Sequence, residues 1–354
     1  MRTLTASLLA IFLSSIPGVA QDASLDSIFA PLADTKSPGL AVLIRRNGQT
    51  VFERGYGLTD LRTFRKIDLK TDFRLASFTK QFTALAIMLL VHDSKLRYDE
   101  PITDVFPDFP AYGRAITIRH LLTHTSGLPD YEDLMAPTYT ATHQIQDDEV
   151  LTLLEHQTAP KFAPGAKWAY SNSGYVLLGL VVAKVSGLPF WEFLHDRIFG
   201  PLGMHQTIAF VRGSNVVPRR AYGHTKEPSG FVETDQSPTS ATLGDGGVYS
   251  NLEDLAKWDQ ALEAHTLLSE KEMRPALTPS EGTLNEGKPV SYGFGWFLDP
   301  YNGHPRMWHT GSTIGFRSVI ERFPNDKLTV IILCNRTDLD PNELALKTAD
   351  ALWK

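Results

Sequence analysis

Apolar and polar positions along this chain change period twice. Leu25 to Ala33 reads as a helix, and Ala41-Val42-Leu43-Ile44 then forms an unbroken apolar run, the mark of a strand. Asn47-Gly48 supplies a hairpin turn, with Val51-Phe52 opening the partner strand. From Ser77 to about Ala264 the helical period takes over. It is clearest at Lys80 to His92, Ile118 to His124, Glu149 to His156, Gly174 to Val185, Phe190 to Ile198 and Leu252 to Leu262. Loops rich in Pro and Gly, such as Phe106 to Pro110 and Pro164-Gly165, separate these helices. Strand patterns return at Tyr292 to Phe297, Arg306 to His309, Phe316 to Arg322 and Leu328 to Cys334, with Pro324-Asn325-Asp326 turning between the last two. Pro341 to Trp353 closes with a helix. Strands at both ends and helices between predict an α/β (α+β) fold: one antiparallel sheet built from both termini, flanked by helices, with a large mainly helical insertion. Residues 21–76 and 285–354 would form the sheet domain and residues 77–284 the helical one, with a site at their interface.

Composition narrows the class. At 354 residues and 42% hydrophobic the chain can bury a large core. A net charge of −6 without a long basic run gives no sign of a nucleic-acid surface, and none is expected. Arg2, the apolar stretch Leu4 to Ile16, and small residues up to Ala20 predict a secretory signal peptide over residues 1–20 and a periplasmic or extracellular destination. That stretch is short of the roughly 20 apolar residues a spanning helix needs, and Val176 to Val185 is shorter still, so no stable membrane span is expected. Cys334 is the only cysteine, which rules out an intrachain disulfide and a multi-thiolate metal site. It sits in an apolar strand pattern and reads as a core residue.

Candidate chemistry begins at Ser77-Phe78-Thr79-Lys80, which opens the most apolar helix after the leader. A spacing of three puts Ser77 and Lys80 on one face, one turn apart. Free N–H groups at a helix start favour developing negative charge. A lysine in so apolar a helix should lose hydration, making its neutral form accessible as a base for the serine hydroxyl. A Ser-x-x-Lys match arises about once by chance in a chain of this length, and the pair alone also fits a helix cap with a solvent-reaching lysine.

Further elements change that balance. Tyr170-Ser171-Asn172 precedes a helix, and His309-Thr310-Gly311 is placed at the end of a strand. With Ser-x-x-Lys these are variants of the three penicillin-recognising motifs. Together with Ile118 to Leu128 (IRHLLTHTSGL), Pro164-Gly165 and Gly246-Gly247-Val248-Tyr249-Ser250, they make the chain resemble the serine β-lactamase and penicillin-binding-protein superfamily over roughly residues 25 to 350. The resemblance is to its class C-like branch of esterases, D-aminopeptidases and carboxypeptidases, and implies a β-lactamase/transpeptidase-like fold.

The resemblance also implies roles. Ser77 attacks the carbonyl, and Lys80 and Tyr170 share the proton transfers. Asn172 orients substrate or Lys80. His309, Thr310, Gly311 and Ser312 line the substrate, with the Ser77 and Ser312 N–H groups as the oxyanion hole. His309 replaces the family's lysine; being mostly neutral at pH 7, it disfavours a substrate carboxylate there. Small esters, amides or short peptides are the expected partners, and no cofactor is expected. A cell-wall carboxypeptidase or transpeptidase, and a catalytically weak penicillin-recognising binding protein, are the alternatives. Tyr249-Ser250-Asn251 repeats the Tyr-Ser-Asn triplet, but its asparagine reads as a helix cap, so Tyr170 is the expected catalytic tyrosine. His120 and His124 have metal-ligand spacing without a third ligand and are read as structural. Trp168, Trp296 and Trp308 fit a cleft or the core. The sequence does not fix the oligomeric state.

Overall fold

A computed structural model describes residues 24–354 apart from 33, 281–283 and 286. The predicted signal peptide lies outside the described residues. Five antiparallel strands form the main sheet: β1 (Leu40–Arg46), β2 (Gln49–Tyr56), β3 (Met307–Thr313), β4 (Phe316–Phe323) and β5 (Leu328–Cys334). Their order across the sheet is β3-β4-β5-β1-β2, so strands from both parts of the chain meet where β1 pairs with β5, Leu40 opposite Cys334 and Arg46 opposite Leu328. Asn47 and Gly48 take φ 52° and 74° and make the β1–β2 turn, as their sequence requires.

β1 is apolar without alternation because both its faces are covered. Ala41 and Leu43 pack into the larger core with the helices, while Leu40, Val42 and Ile44 pack with Leu25, Phe29, Ala345, Ala349 and Leu352 on the other face. Cys334 is buried in this second core, and burial pushes its thiol up to about 12, which leaves it unreactive.

The longest helices among the described residues are α1 (Lys80–His92), α2 (Asn172–Ser186), α3 (Leu252–Glu263) and α4 (Pro341–Trp353). Residues Lys80 to Leu90 of α1 are all buried, which a helix apolar on every side requires. Polar groups at its start are met by one passing segment. Thr79 Oγ1 accepts from Val248 N–H (3.1 Å), Lys80 Nζ donates to Asp245 O (2.8 Å) and Thr83 Oγ1 donates to Gly244 O (2.6 Å). Among the described residues no single helix is long and apolar enough to cross a membrane.

Three local expectations need correction. Tyr292 to Phe297 is a tight turn closed by a Tyr292–Phe297 bridge, not a strand. Gly293 N–H bonds to Trp296 O (2.8 Å) and Gly295 takes φ 76°; the two glycines let the backbone reverse where alternation alone suggested extension. The strand beginning near Arg306 continues to Thr313, so His309-Thr310-Gly311 sits inside β3 rather than at its end. The helix from Ile118 stops at Leu122, and His124 takes φ 58°. Short strands accompany the helices: Phe73–Arg74, Val248–Ser250 and Ile208–Ala209 form a small sheet, and His224–Glu227 pairs with Gly230–Glu233.

Candidate active site

Ser77 does not open α1 directly. It lies on a 3-10 turn, Ala76–Thr79, that runs into the helix. Ala76 before it takes φ 50°, a left-handed conformation costly for a residue with a Cβ. The turn leaves Ser77 as the one partly exposed residue between Thr71 and Lys80. Its hydroxyl therefore faces the cleft while its neighbours are locked in the core.

Lys80 is fully buried, yet its ammonium group is surrounded by acceptors. Nζ donates to Ser77 Oγ (3.1 Å), Asn172 Oδ1 (2.9 Å) and Asp245 O (2.8 Å). Three acceptors match the three N–H bonds of an ammonium. A neutral amine keeps two of them and turns its lone pair to the serine hydroxyl. Tyr170, half-buried, places its ring centroid 4.9 Å from Nζ. Asn172 is the first residue of α2, and Ser171 before it caps the helix by accepting from Gly174 N–H. With the cap supplied by Ser171, the Asn172 side chain is released to bridge Lys80 and Glu132, donating to Glu132 Oε1 at 3.3 Å. Glu132 lies exposed at this point, with burial of its carboxyl group and the neighbouring Asp130 charge raising its pKa.

β3 is an edge strand: Trp308 exchanges backbone hydrogen bonds with Phe297, and beyond it, among the described residues, no strand pairs the outer side. Gly311 presses against the turn that carries Ser77: a Cβ there would lie 1.9 Å from Leu75 O, so no other residue fits. Ser312 is exposed and Thr310 half-exposed on the opposite face of the strand.

His309 departs from the expectation that it meets substrate. It is buried, and both ring nitrogens are engaged, Nδ1 with Thr310 O (2.6 Å) and Nε2 with the Tyr292 hydroxyl (3.0 Å). A carbonyl only accepts, so Nδ1 carries the proton and Nε2 accepts from Tyr292. Burial, with the Lys80 charge nearby, pushes the imidazole down to about 3, so it is neutral at physiological pH. The Tyr292 phenol is pushed well above its usual value by burial and remains a donor.

The sequence did not single out Asp245, Glu132, Tyr292 or the part His124 plays. The Asp245 contact is through a backbone carbonyl, which no residue type announces. Among the described residues no group of three or more His, Cys, Asp or Glu side chains is placed to hold a metal ion. His120 Nδ1 instead accepts from Thr117 N–H at the start of its helix (3.2 Å), and His124 Nδ1 accepts from Ser171 N–H (3.1 Å). Trp296 is buried in the core, while half-exposed Trp308 stacks on Phe297 at 4.6 Å, and Trp168 lies 6.2 Å from Tyr170.

Comparison with known proteins shows the family of the chain. The sequence model of the family described as Beta-lactamase matches residues 25–352. A penicillin-binding protein of Bacillus subtilis strain 168 is 33% identical over 344 residues, which cover 92% of this chain and 74% of that protein. A D-aminopeptidase of Cereibacter sphaeroides is 26% identical, covering 85% of this chain and 57% of that protein. The crystal structure of D-amino acid amidase from Ochrobactrum anthropi SV3, complexed with L-phenylalanine amide, superposes with a TM-score of 0.79 at 26% identity, covering 95% of this chain and 100% of that one. On the extent of the family match and the identity to its relatives, this chain belongs to the beta-lactamase family of serine hydrolases.

Proposed function

We propose that this chain is an exported serine hydrolase that cleaves a small amide or ester carrying a free amine, through an acyl-enzyme on Ser77. The observation that carries the reading is the buried Lys80 side-chain nitrogen within hydrogen-bonding distance of a partly exposed serine hydroxyl. Ser77 Oγ bonds to the carbonyl carbon as its proton passes to neutral Lys80 Nζ. Tyr170, beside Nζ, hands a proton to the leaving nitrogen or oxygen as the carbon–heteroatom bond breaks. In the second half the same groups take a proton from water, which displaces Ser77 and releases the acid. The backbone N–H groups of Ser77 and Ser312 hold the oxyanion; one such donor contributes about 3 kcal/mol to transition-state stabilisation.

Substrate class follows from charge. Neutral, enclosed His309 offers no cation to a substrate carboxylate, which argues against a D-Ala-D-Ala carboxypeptidase or a β-lactamase. Glu132 and Asp130 instead put carboxyl groups beside Asn172, suited to an ammonium group next to the scissile carbonyl. The D-aminopeptidase and D-amino acid amidase relatives fit the same class. Export rests on the leader pattern of residues 1–20.

The test is a panel of p-nitrophenyl acetate, D- and L-phenylalanine amide and nitrocefin, with mass spectrometry of the acylated peptide. Ser77→Ala should lower turnover by three orders of magnitude or more; turnover at the wild-type rate would falsify the mechanism. Glu132→Gln should raise KM for the amino-acid amides roughly tenfold and leave p-nitrophenyl acetate unaffected. Equal effects on both substrates would remove the amine from the proposal.

A further inference from the structure

His124 is buried, takes φ 58°, and lies outside the Ser77, Lys80 and Tyr170 set. Its contacts are concentrated on one neighbour. Ala169 N–H donates to His124 O at 2.9 Å, and Ser171 N–H donates to His124 Nδ1 at 3.1 Å. Tyr170 lies between these two residues, so both peptide N–H groups flanking it are held by a single histidine. The imidazole also packs on the phenol ring, with centroids 4.3 Å apart.

We infer that His124 is the positioning residue for Tyr170, its Nδ1 lone pair and left-handed backbone clamping the loop that carries the phenol over Lys80. The inference rests on the reading of Tyr170 as a proton-transfer group.

Three features support a fixed clamp over mere core filling. A backbone N–H can only donate, so Nδ1 must be unprotonated and the ring proton must sit on Nε2. Burial, with Lys80 and His309 nearby, holds the imidazole pKa well below its ordinary value, which keeps that lone pair available. Among the described residues Nε2 has no hydrogen-bond partner; the rings of Trp168, Tyr175 and Tyr292 surround the imidazole, their centroids 5.8, 5.1 and 4.6 Å from its own. An unpaired buried donor and a non-glycine residue at positive φ both cost stability, and both occur at the residue that bonds to each side of Tyr170. A displacement of about 1 Å in a proton-transfer group is enough to cost about a hundredfold in rate.

The experiment separates acceptor, backbone and ring. Asparagine adopts the left-handed region readily and offers Oδ1 in place of Nδ1; glycine tolerates the backbone but has no acceptor. With p-nitrophenyl acetate, His124→Asn should keep kcat within about fivefold of wild type, while His124→Gly should lose thirtyfold or more in kcat with KM little changed. A double-mutant cycle with Tyr170→Phe reads the mechanism: once the phenol is gone, His124→Gly should cost less than threefold further. Circular dichroism and melting temperature check that each variant folds. If His124→Gly retains kcat, if His124→Asn fails as badly as His124→Gly, or if the two losses multiply fully, the positioning role is wrong. If Tyr170→Phe is itself fully active, the reading of Tyr170 falls and the inference with it; if Tyr170→Phe is inactive but His124→Gly is not, only the inference falls.

Discussion

Tyr170-Ser171-Asn172 and Tyr249-Ser250-Asn251 are the same three residues, each leading into a long helix, yet they occupy unlike environments. In the first, Ser171 is the N-cap, which moves Asn172 one place into α2 and leaves its side chain to reach Lys80. In the second, Asn251 is itself the N-cap of α3, accepting from Asp254 N–H, while its amide donates to buried Asp72 at 2.7 Å. The tyrosines diverge likewise. Tyr170 is half-buried over Lys80, whereas Tyr249 is fully buried among Phe210, Phe316 and Arg220. A shift of one residue in which side chain caps the helix turns the same peptide from part of a site into part of a core.

The comparison can be broken most directly at the tyrosines. Tyr170→Phe should lower kcat by about a hundredfold or more with the melting temperature unchanged. Tyr249→Phe should leave kcat within about twofold, because its ring lies in the core among Phe210 and Phe316, and should change stability by no more than about 1 kcal/mol. A reversed result would transfer the role to Tyr249. The asparagines sharpen the contrast at smaller amplitude. Asn251→Ala should cost about 1–2 kcal/mol in chemical denaturation through the lost cap and the lost hydrogen bond to Asp72 Oδ1, with activity preserved. Asn172→Ala should cost roughly tenfold in kcat/KM and little stability, because Ser171 still caps α2.

The remaining effect concerns pH. The imidazole of His309 is pushed from 6.5 to about 3 in the folded chain. Between those values the unfolded chain binds a proton that the folded chain refuses. Stability from this group is therefore intact above about 6.5 and is lost progressively as pH falls toward 3. His309→Gln should make acid unfolding shallower by about one proton, ~1.4 kcal/mol per pH unit. An unchanged slope would mean the ring is protonated in the folded state and that the carboxylate argument needs revision.

Much of the fold was legible because its signals are local. The apolar period of Lys80 to His92 and the Pro341 start of α4 match the observed helices end to end. Asn47-Gly48 marked its turn through a backbone preference. Tyr292 to Phe297 was misread because alternation and a glycine-driven reversal look alike over six residues. The pairing of Ser77 with Lys80 was readable from helical spacing. The Asp245 carbonyl, the Glu132 carboxyl and the His124 clamp were not, since each joins segments distant in sequence.

The sequence by itself determined the kinds of element, their order and the reactive groups available, because helix period, turn preference and side-chain chemistry act over a few residues. Only the tertiary structure decided which Tyr-Ser-Asn lies against Lys80, that His309 is enclosed and neutral, and that a main-chain oxygen completes the lysine's partners. Those outcomes depend on burial and on contacts across 90 or more positions, such as the 92 that separate Lys80 from Asn172. Local patterns carry no record of either.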